Sequence, residues 1–213
     1  MLPKSDTLTI ATGEPTRVSF DDEPLILVDD QDEVIGYLPK AECHQGDGIL
    51  HRAFSVFLFD SRNRVLLQKR SDSKPLWPLI WSNSCCSHPR RGETLESAVS
   101  RRLREELGIS CEAEFLYKFQ YHARFEADGE LVGSERELCA VFAARLSPET
   151  EQADSKGIVV NPTEVADLSW ATLEELDARA ADLASNLSPW SRMEWKRLRS
   201  DLWPQLEQIL TAS

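Results

Sequence analysis

A chain of 213 residues, 41% hydrophobic and with six tryptophans, has enough apolar material for one substantial domain, which excludes global disorder. A net charge of −12 excludes a general nucleic-acid binder, because phosphate contacts need a basic face, and no apolar run approaches the roughly 18 residues of a membrane span. The N-terminus has neither the basic start nor the apolar stretch of a secretory signal, and five cysteines with no CxxC pair do not make a disulfide framework. Reduced thiols in a soluble cytoplasmic protein, monomeric or weakly dimeric and away from membranes, are the expectation.

Residues 1–20 are polar and aperiodic and read as a mobile extension, leaving one domain over 21–213. Leu25-Ile26-Leu27-Val28 is a buried-strand pattern closed by the turn-prone Asp29-Asp30-Gln31-Asp32. Phe54, Val56 and Leu58 alternate with smaller residues before Asp60-Ser61-Arg62-Asn63, and Val65-Leu66-Leu67 follows, which predicts a hairpin. The segment 71–92, rich in Ser, Pro, Trp and Cys, has no period and reads as a long loop of the kind that carries function. Leu95, Ala98, Val99, Leu103 and Leu107 form one helical stripe with Gly108 placed to stop it. Phe119, Tyr121, Ala123 and Phe125 alternate as a strand, Asp128-Gly129 turns the chain, and a second strand runs from about Glu135 to Arg145. Residues 171–184 and 189–211 read as helices, the latter opening at Ser188-Pro189-Trp190. Strands and helices mixed around one long loop predict a single α+β or α/β domain.

Four histidines are present, His44, His51, His88 and His122. Glu135 and Glu137 lie two apart on a strand, so both carboxylates point to one face, and such a face is costly to bury unless something positive neutralises it. His44, His51 and His88 with those two carboxylates suit a divalent ion such as Zn2+ or Mn2+. Any one of these histidines alone is an ordinary core or surface residue; the set, with Cys86 beside His88, is what points to a metal. Neighbours in a strand face opposite sides, so if Tyr121 looks into such a site His122 looks away. Tyr121 on its own is equally a core residue.

The run Arg101-Arg102-Leu103-Arg104-Glu105-Glu106-Leu107-Gly108 resembles the Nudix box, whose glutamates bind Mg2+ against a diphosphate. Two positions depart from it: Ser87 stands at the opening glycine and Arg102 at a metal-binding glutamate, which exchanges a metal ligand for a guanidinium suited to phosphate. Trp81-Ser82-Asn83-Ser84-Cys85-Cys86-Ser87-His88-Pro89 resembles the first signature of type I isopentenyl diphosphate isomerases, and Glu135-Arg136-Glu137-Leu138-Cys139 the second. Lys40, the His44…His51 pair, Arg70, Lys74, Trp77-Pro78, Tyr121 and Ser188-Pro189-Trp190 follow in the family's order, so the resemblance spans about residues 24 to 200.

That resemblance implies a Nudix-like α/β/α sandwich, a mixed sheet flanked by helices. It implies catalysis by Cys86 on one face of a small diphosphate substrate and by Glu137 with Tyr121 on the other. It further implies an Mn2+ or Zn2+ ion on His44, His51, His88, Glu135 and Glu137, and Mg2+ on Glu106. Lys40, Arg70, Lys74 and Arg102 would hold the diphosphate, and Trp190 would face a carbocation-like state. Spacing to His88 selects Cys86 rather than Cys85. The competing readings are a Nudix pyrophosphohydrolase, disfavoured by Arg102 and Cys86, and a non-catalytic thiol switch built on Cys85-Cys86, which leaves Glu137 and Trp190 without a role.

Overall fold

The computed structural model describes residues 11–147, 150 and 158–211. Strands β1 (Ala11–Thr12), β2 (Pro24–Val28) and β3 (Val34–Pro39) lead into a one-turn helix α1 (Lys40–Cys43). Strands β4 (His51–Phe59), β5 (Val65–Arg70), β6 (Trp81–Ser82) and β7 (Cys85–Ser87) precede helix α2 (Leu95–Leu107). A long hairpin of β8 (Glu114–Ala127) and β9 (Glu130–Arg145) follows, then β10 (Val159–Val160) and β11 (Val165–Ala171). Helices α3 (Leu173–Ala181), α4 (Pro189–Ser200) and α5 (Trp203–Thr211) close the chain.

β4 is apolar on both faces, and that places it at the centre. Phe54, Val56 and Leu58 join Val99, Leu103 and Leu107 of α2 in one core. Phe57 and Phe59 point the other way, into a core with Trp195 and Leu198 of α4 and Leu206 of α5. The result is the expected layered sandwich, with a mixed sheet between helices. Truncating Leu103 or Leu107, both fully buried, to Ala would cost about 2–5 kcal/mol. α2 is capped at both ends. The Thr94 hydroxyl accepts from the Ser97 N–H, and Gly108, at φ 67°, ends the helix where a Cβ would lie 3.2 Å from the Val159 carbonyl.

β4 pairs in parallel with β9 along its whole length, from His51↔Glu137 to Phe59↔Arg145. Its other edge is shared: β2 meets it at His51, β7 at Phe54–Val56, and β5 only at Phe59↔Val65. The expected β4–β5 hairpin is therefore closed at its turn and splayed beyond it, and the segment 81–87 enters the gap. Ser84 bridges the splayed strands, its hydroxyl accepting from Leu58 N–H at 2.8 Å and donating to the Leu66 carbonyl at 2.6 Å. The stretch expected as one long loop thus holds two short strands. Two- and three-residue strands are too short to show a period.

Other boundaries shift. β8 and β9 extend beyond their expected ends to a turn at Asp128-Gly129, where both residues have positive φ, as a tight two-residue hairpin turn requires. Residues 165–171 form β11, and the expected 171–184 helix shrinks to α3, started at Thr172 by a capping box with Glu175. The expected 189–211 helix is two helices: α4 ends at Ser200 with Asp201 as its cap, and Pro204, which cannot sit inside a continuous helix, lies in the first turn of α5. Of the N-terminal segment, residues 1–10 lie outside the described residues. Ala11–Thr12 pairs with Val159–Val160, while the Thr16 and Val18 carbonyls accept bonds from Asn161 and Arg102. No described helix is long and apolar enough to cross a membrane.

Candidate active site

The parallel β4–β9 register sets His51 beside Glu137. His44 arrives from the end of α1, His88 from just after β7, and Glu135 lies one repeat before Glu137 on the same face of β9. One potential ligand atom from each of the five falls within 4.8 Å of all the others. The Nδ1–H of His44 donates to the Lys40 carbonyl at 2.7 Å and that of His51 to the Ile49 carbonyl at 2.6 Å, which leaves both Nε2 lone pairs facing inward. His44 Nε2 lies 2.8 Å from Glu135, His88 Nε2 lies 3.1 Å from Glu137, and the Nε2 atoms of His51 and His88 are 3.2 Å apart. Converging imidazole nitrogens and two buried carboxylates fit a divalent cation, which would relieve both the lone-pair repulsion and the charge. Burial pushes the Glu137 carboxyl up, but contacts with His51, Glu135 and Tyr121 outweigh it and bring it to about 2. Burial, together with the neighbouring His51, Lys40 and His44, holds His88 well below its ordinary value.

His44, His88, Glu135 and Glu137 form part of the wall of a cavity of about 350 Å³, with Cys86, Tyr121 and Trp190 as further wall, while His51 is fully buried behind them. The Tyr121 hydroxyl donates to Glu137 at 2.7 Å, and His122, its neighbour, is exposed. Cys86 is half-buried, and its Sγ–H donates to the Asn83 side-chain oxygen at 2.8 Å with Ser55 Oγ at 3.4 Å. Burial and the Glu194 carboxyl push this thiol up to about 12, so it rests protonated. Cys85 points into the core beneath α2, fully buried. Trp190, held by its Nε1–H to Ser82 Oγ at 3.0 Å, stacks on Tyr121 with centroids 6.3 Å apart and meets Trp77 edge-on at 5.3 Å.

The far end of the cavity is cationic. Lys40, Arg70, Lys74 and Arg102 all line it. Arg70 is turned to the backbone, donating to the Leu76 and Trp77 carbonyls at 2.9 and 3.1 Å while its guanidinium lies over Trp190. Arg102 is buried against Glu106, with both bonds on one carboxylate oxygen at 2.6 and 2.9 Å, and against Glu164 at 2.9 Å. Lys74 pairs with the same Glu164 oxygen. Lys40 donates to Ser19 Oγ at 2.6 Å, and burial, Lys74 and Arg102 bring its ammonium down to about 8. Glu106 stands behind Arg102, buried and bonded to that guanidinium, and does not itself line the cavity.

Sequence reasoning missed Glu164, which lies in an aperiodic stretch with no signal of its own. It quoted Asn83 within the loop motif without giving it a role, and it passed over Ser55. Glu194 was legible: it sits one turn beyond Trp190, on the buried stripe of α4. Burial pushes its carboxyl up to about 8, although Ser55 and Cys139 stabilise the anion, and its Oε2 has no hydrogen-bond partner.

A NUDIX domain model matches residues 49–192. Isopentenyl-diphosphate Delta-isomerase 1 of Photorhabdus laumondii is 40% identical over 176 residues, 81% of this chain and 93% of the relative. Isopentenyl-diphosphate Delta-isomerase of Nocardia farcinica is 40% identical over 167 residues, 78% and 89% of the two chains. In fold, the chain is similar to the Deinococcus radiodurans protein DR0079, with a TM-score of 0.63 at 24% identity over 82% of this chain and 98% of that one. Family match, relatives of nearly full length and the shared layered sheet agree: the chain belongs to the Nudix family and, within it, to the isopentenyl-diphosphate Delta-isomerases.

Proposed function

We propose that this cavity interconverts isopentenyl and dimethylallyl diphosphate, with Cys86 and Glu137 exchanging protons with opposite faces of the substrate. The observation that carries the assignment is topological. β7 brings Cys86 to one edge of β4 and β9 brings Glu137 to the other, and both side chains face the same cavity. Moving an unactivated double bond requires a proton added at the terminal carbon and another removed from the carbon beside the oxygen-bearing methylene. The tertiary centre between them becomes electron-poor.

Cys86 rests as a thiol, able to give a proton, while Glu137 rests as a carboxylate, able to take one. Tyr121, hydrogen-bonded to Glu137, orients that carboxylate and can relay its proton. The Trp190 and Tyr121 rings exclude water and present π-faces to the electron-poor carbon. His44, His51, His88, Glu135 and Glu137 would hold an Mn2+ or Zn2+ ion, and Glu106 an Mg2+, the first supplying charge that keeps the carboxylates ionised and the second neutralising diphosphate. Lys40, Lys74 and Arg102 bind the diphosphate, and Arg70 fixes the Leu76–Trp77 backbone and the Trp190 ring. Five free cysteines suit a reducing compartment, and we place the enzyme in the cytoplasm.

Incubating the purified protein with isopentenyl diphosphate in heavy water tests this reading. Dimethylallyl diphosphate carrying solvent deuterium, without phosphate release, is the expected outcome. Phosphate release would indicate a hydrolase, and product without deuterium would remove Cys86 and Glu137 from their roles.

A further inference from the structure

Behind the cationic wall of the cavity lies a carboxylate that neither the family signatures nor the proton chemistry uses. Glu164 is 4% exposed and sits on the turn before β11, where its N–H donates to the Asn161 carbonyl at 3.0 Å. Its own carbonyl accepts from Ser71 N–H at 2.9 Å, which ties it to the segment carrying Lys74. One of its oxygens receives both Lys74 and Arg102, two cations delivered by different elements that would otherwise repel each other. The same turn anchors the N-terminal segment, since Asn161 and Thr163 both donate to the Thr16 carbonyl.

We propose that Glu164 is a positioning residue for the diphosphate, holding Lys74 and Arg102 together and setting the charge of this end so that it accepts the magnesium complex rather than the bare anion. The inference rests on the diphosphate reading above. Lys40, Arg70, Lys74 and Arg102 line the cavity with Asp21, and Glu106 and Glu164 back Arg102 and Lys74, four cations against three carboxylates, which leaves one net positive charge. Arg70 keeps its charge, though its donors are turned to the Leu76 and Trp77 carbonyls. A diphosphate ester carries roughly three negative charges at neutral pH, and its Mg2+ complex roughly one. The complex therefore matches the site, and the bare anion overcharges it. With Glu164 neutralised the site would carry one more positive charge, and the preference for the complex would fall.

Calorimetric titration with inorganic diphosphate, with saturating Mg2+ and with none, tests this on the parent and on Glu164→Gln. The parent should bind at least about tenfold more tightly with Mg2+. Glu164→Gln should bind metal-free diphosphate about tenfold more tightly than the parent, and its gain from Mg2+ should shrink to about threefold or less. With isopentenyl diphosphate its kcat should fall about tenfold while KM does not rise, because Lys74 and Arg102 lose their common anchor. A merely structural ion pair would weaken binding in both conditions, and that result overturns the inference, as does an unchanged response to Mg2+. Should the amide variant fail to fold, Glu164→Asp retains the charge and should keep the parent's gain from Mg2+; its loss there would equally overturn the proposal. A parent that binds no diphosphate would sink the diphosphate reading and this inference together, whereas a parent that binds beside an unaltered variant sinks the inference alone.

Discussion

The two ends of the cavity are both rich in buried charge, but they balance it differently. At the His/Glu end, two carboxylates and three imidazoles converge, bonded further to Tyr121 and to the Lys40 and Ile49 carbonyls, and none of the salt bridges among the described residues brings a Lys or Arg to Glu135 or Glu137. At the other end, Glu106 and Glu164 are already matched by Arg102 and Lys74. A cluster left without a Lys or Arg partner suits a resident ion, because burying unpaired carboxylates costs several kcal/mol. A self-compensated cluster is stable when empty and can exchange partners as a ligand arrives and leaves. On the proposed function, the difference separates a part of the site that holds its ion throughout from a part that turns over.

The largest expected effect lies at the His/Glu end. Glu137→Gln should lower turnover at least about 1000-fold, since a group that both binds the ion and carries a proton is lost. Inorganic diphosphate should still bind within about threefold of the parent, because the cationic end is untouched. A parallel loss of diphosphate affinity would show that the two ends are not independent.

Stripping the transition metal comes next. An ion held at about 100 times its Kd contributes about 2.7 kcal/mol, so chelation should lower the melting temperature by about 5–10 °C for a chain of this size. Added Mg2+ without diphosphate should shift melting by less than about 1 °C. Equal shifts from the two ions would break the distinction between a resident and a transient site.

A pH effect sharpens the contrast at the cationic end. Lys40, brought to about 8 by burial and its cationic neighbours, is restored toward full charge by an incoming diphosphate. Binding therefore takes up a proton above pH 8, and affinity should fall as pH rises through that value, by at most about tenfold per unit. Calorimetry in buffers of different ionisation enthalpy reads the proton uptake directly, and Lys40→Met should abolish it.

The last effect concerns Glu194. Its folded value of about 8 lies above the ordinary 4.5, so its contribution to stability is fully present below about 4.5 and gone once the pH passes about 8. Glu194→Gln, which cannot ionise, should gain on the parent as pH rises through that window, by at most about 1.4 kcal/mol per unit. Chemical denaturation at pH 5 and pH 8 measures the difference, and an advantage that does not grow would place the carboxyl in a more polar setting.

Patterns with local causes were legible in the sequence. The stripe from Leu95 to Leu107 with its Gly108 stop, the alternation through Tyr121, and the two-residue spacing of Glu135 and Glu137 follow from helix and strand periods alone. The separation of Cys86 from Cys85 followed from the motif's spacing to His88, and strand alternation in β7 turns the first to the cavity and the second to the core. Tertiary structure alone decided that β4 and β5 splay to admit residues 81–87, because the side chain that fills the gap, Ser84, has no periodic signature. It also decided that Arg70 faces carbonyls and that Glu164 gathers Lys74 and Arg102, 90 and 62 positions away. A period records which face of an element is buried, but which charges meet across distant elements depends on where the chain brings them together, and no local pattern encodes that.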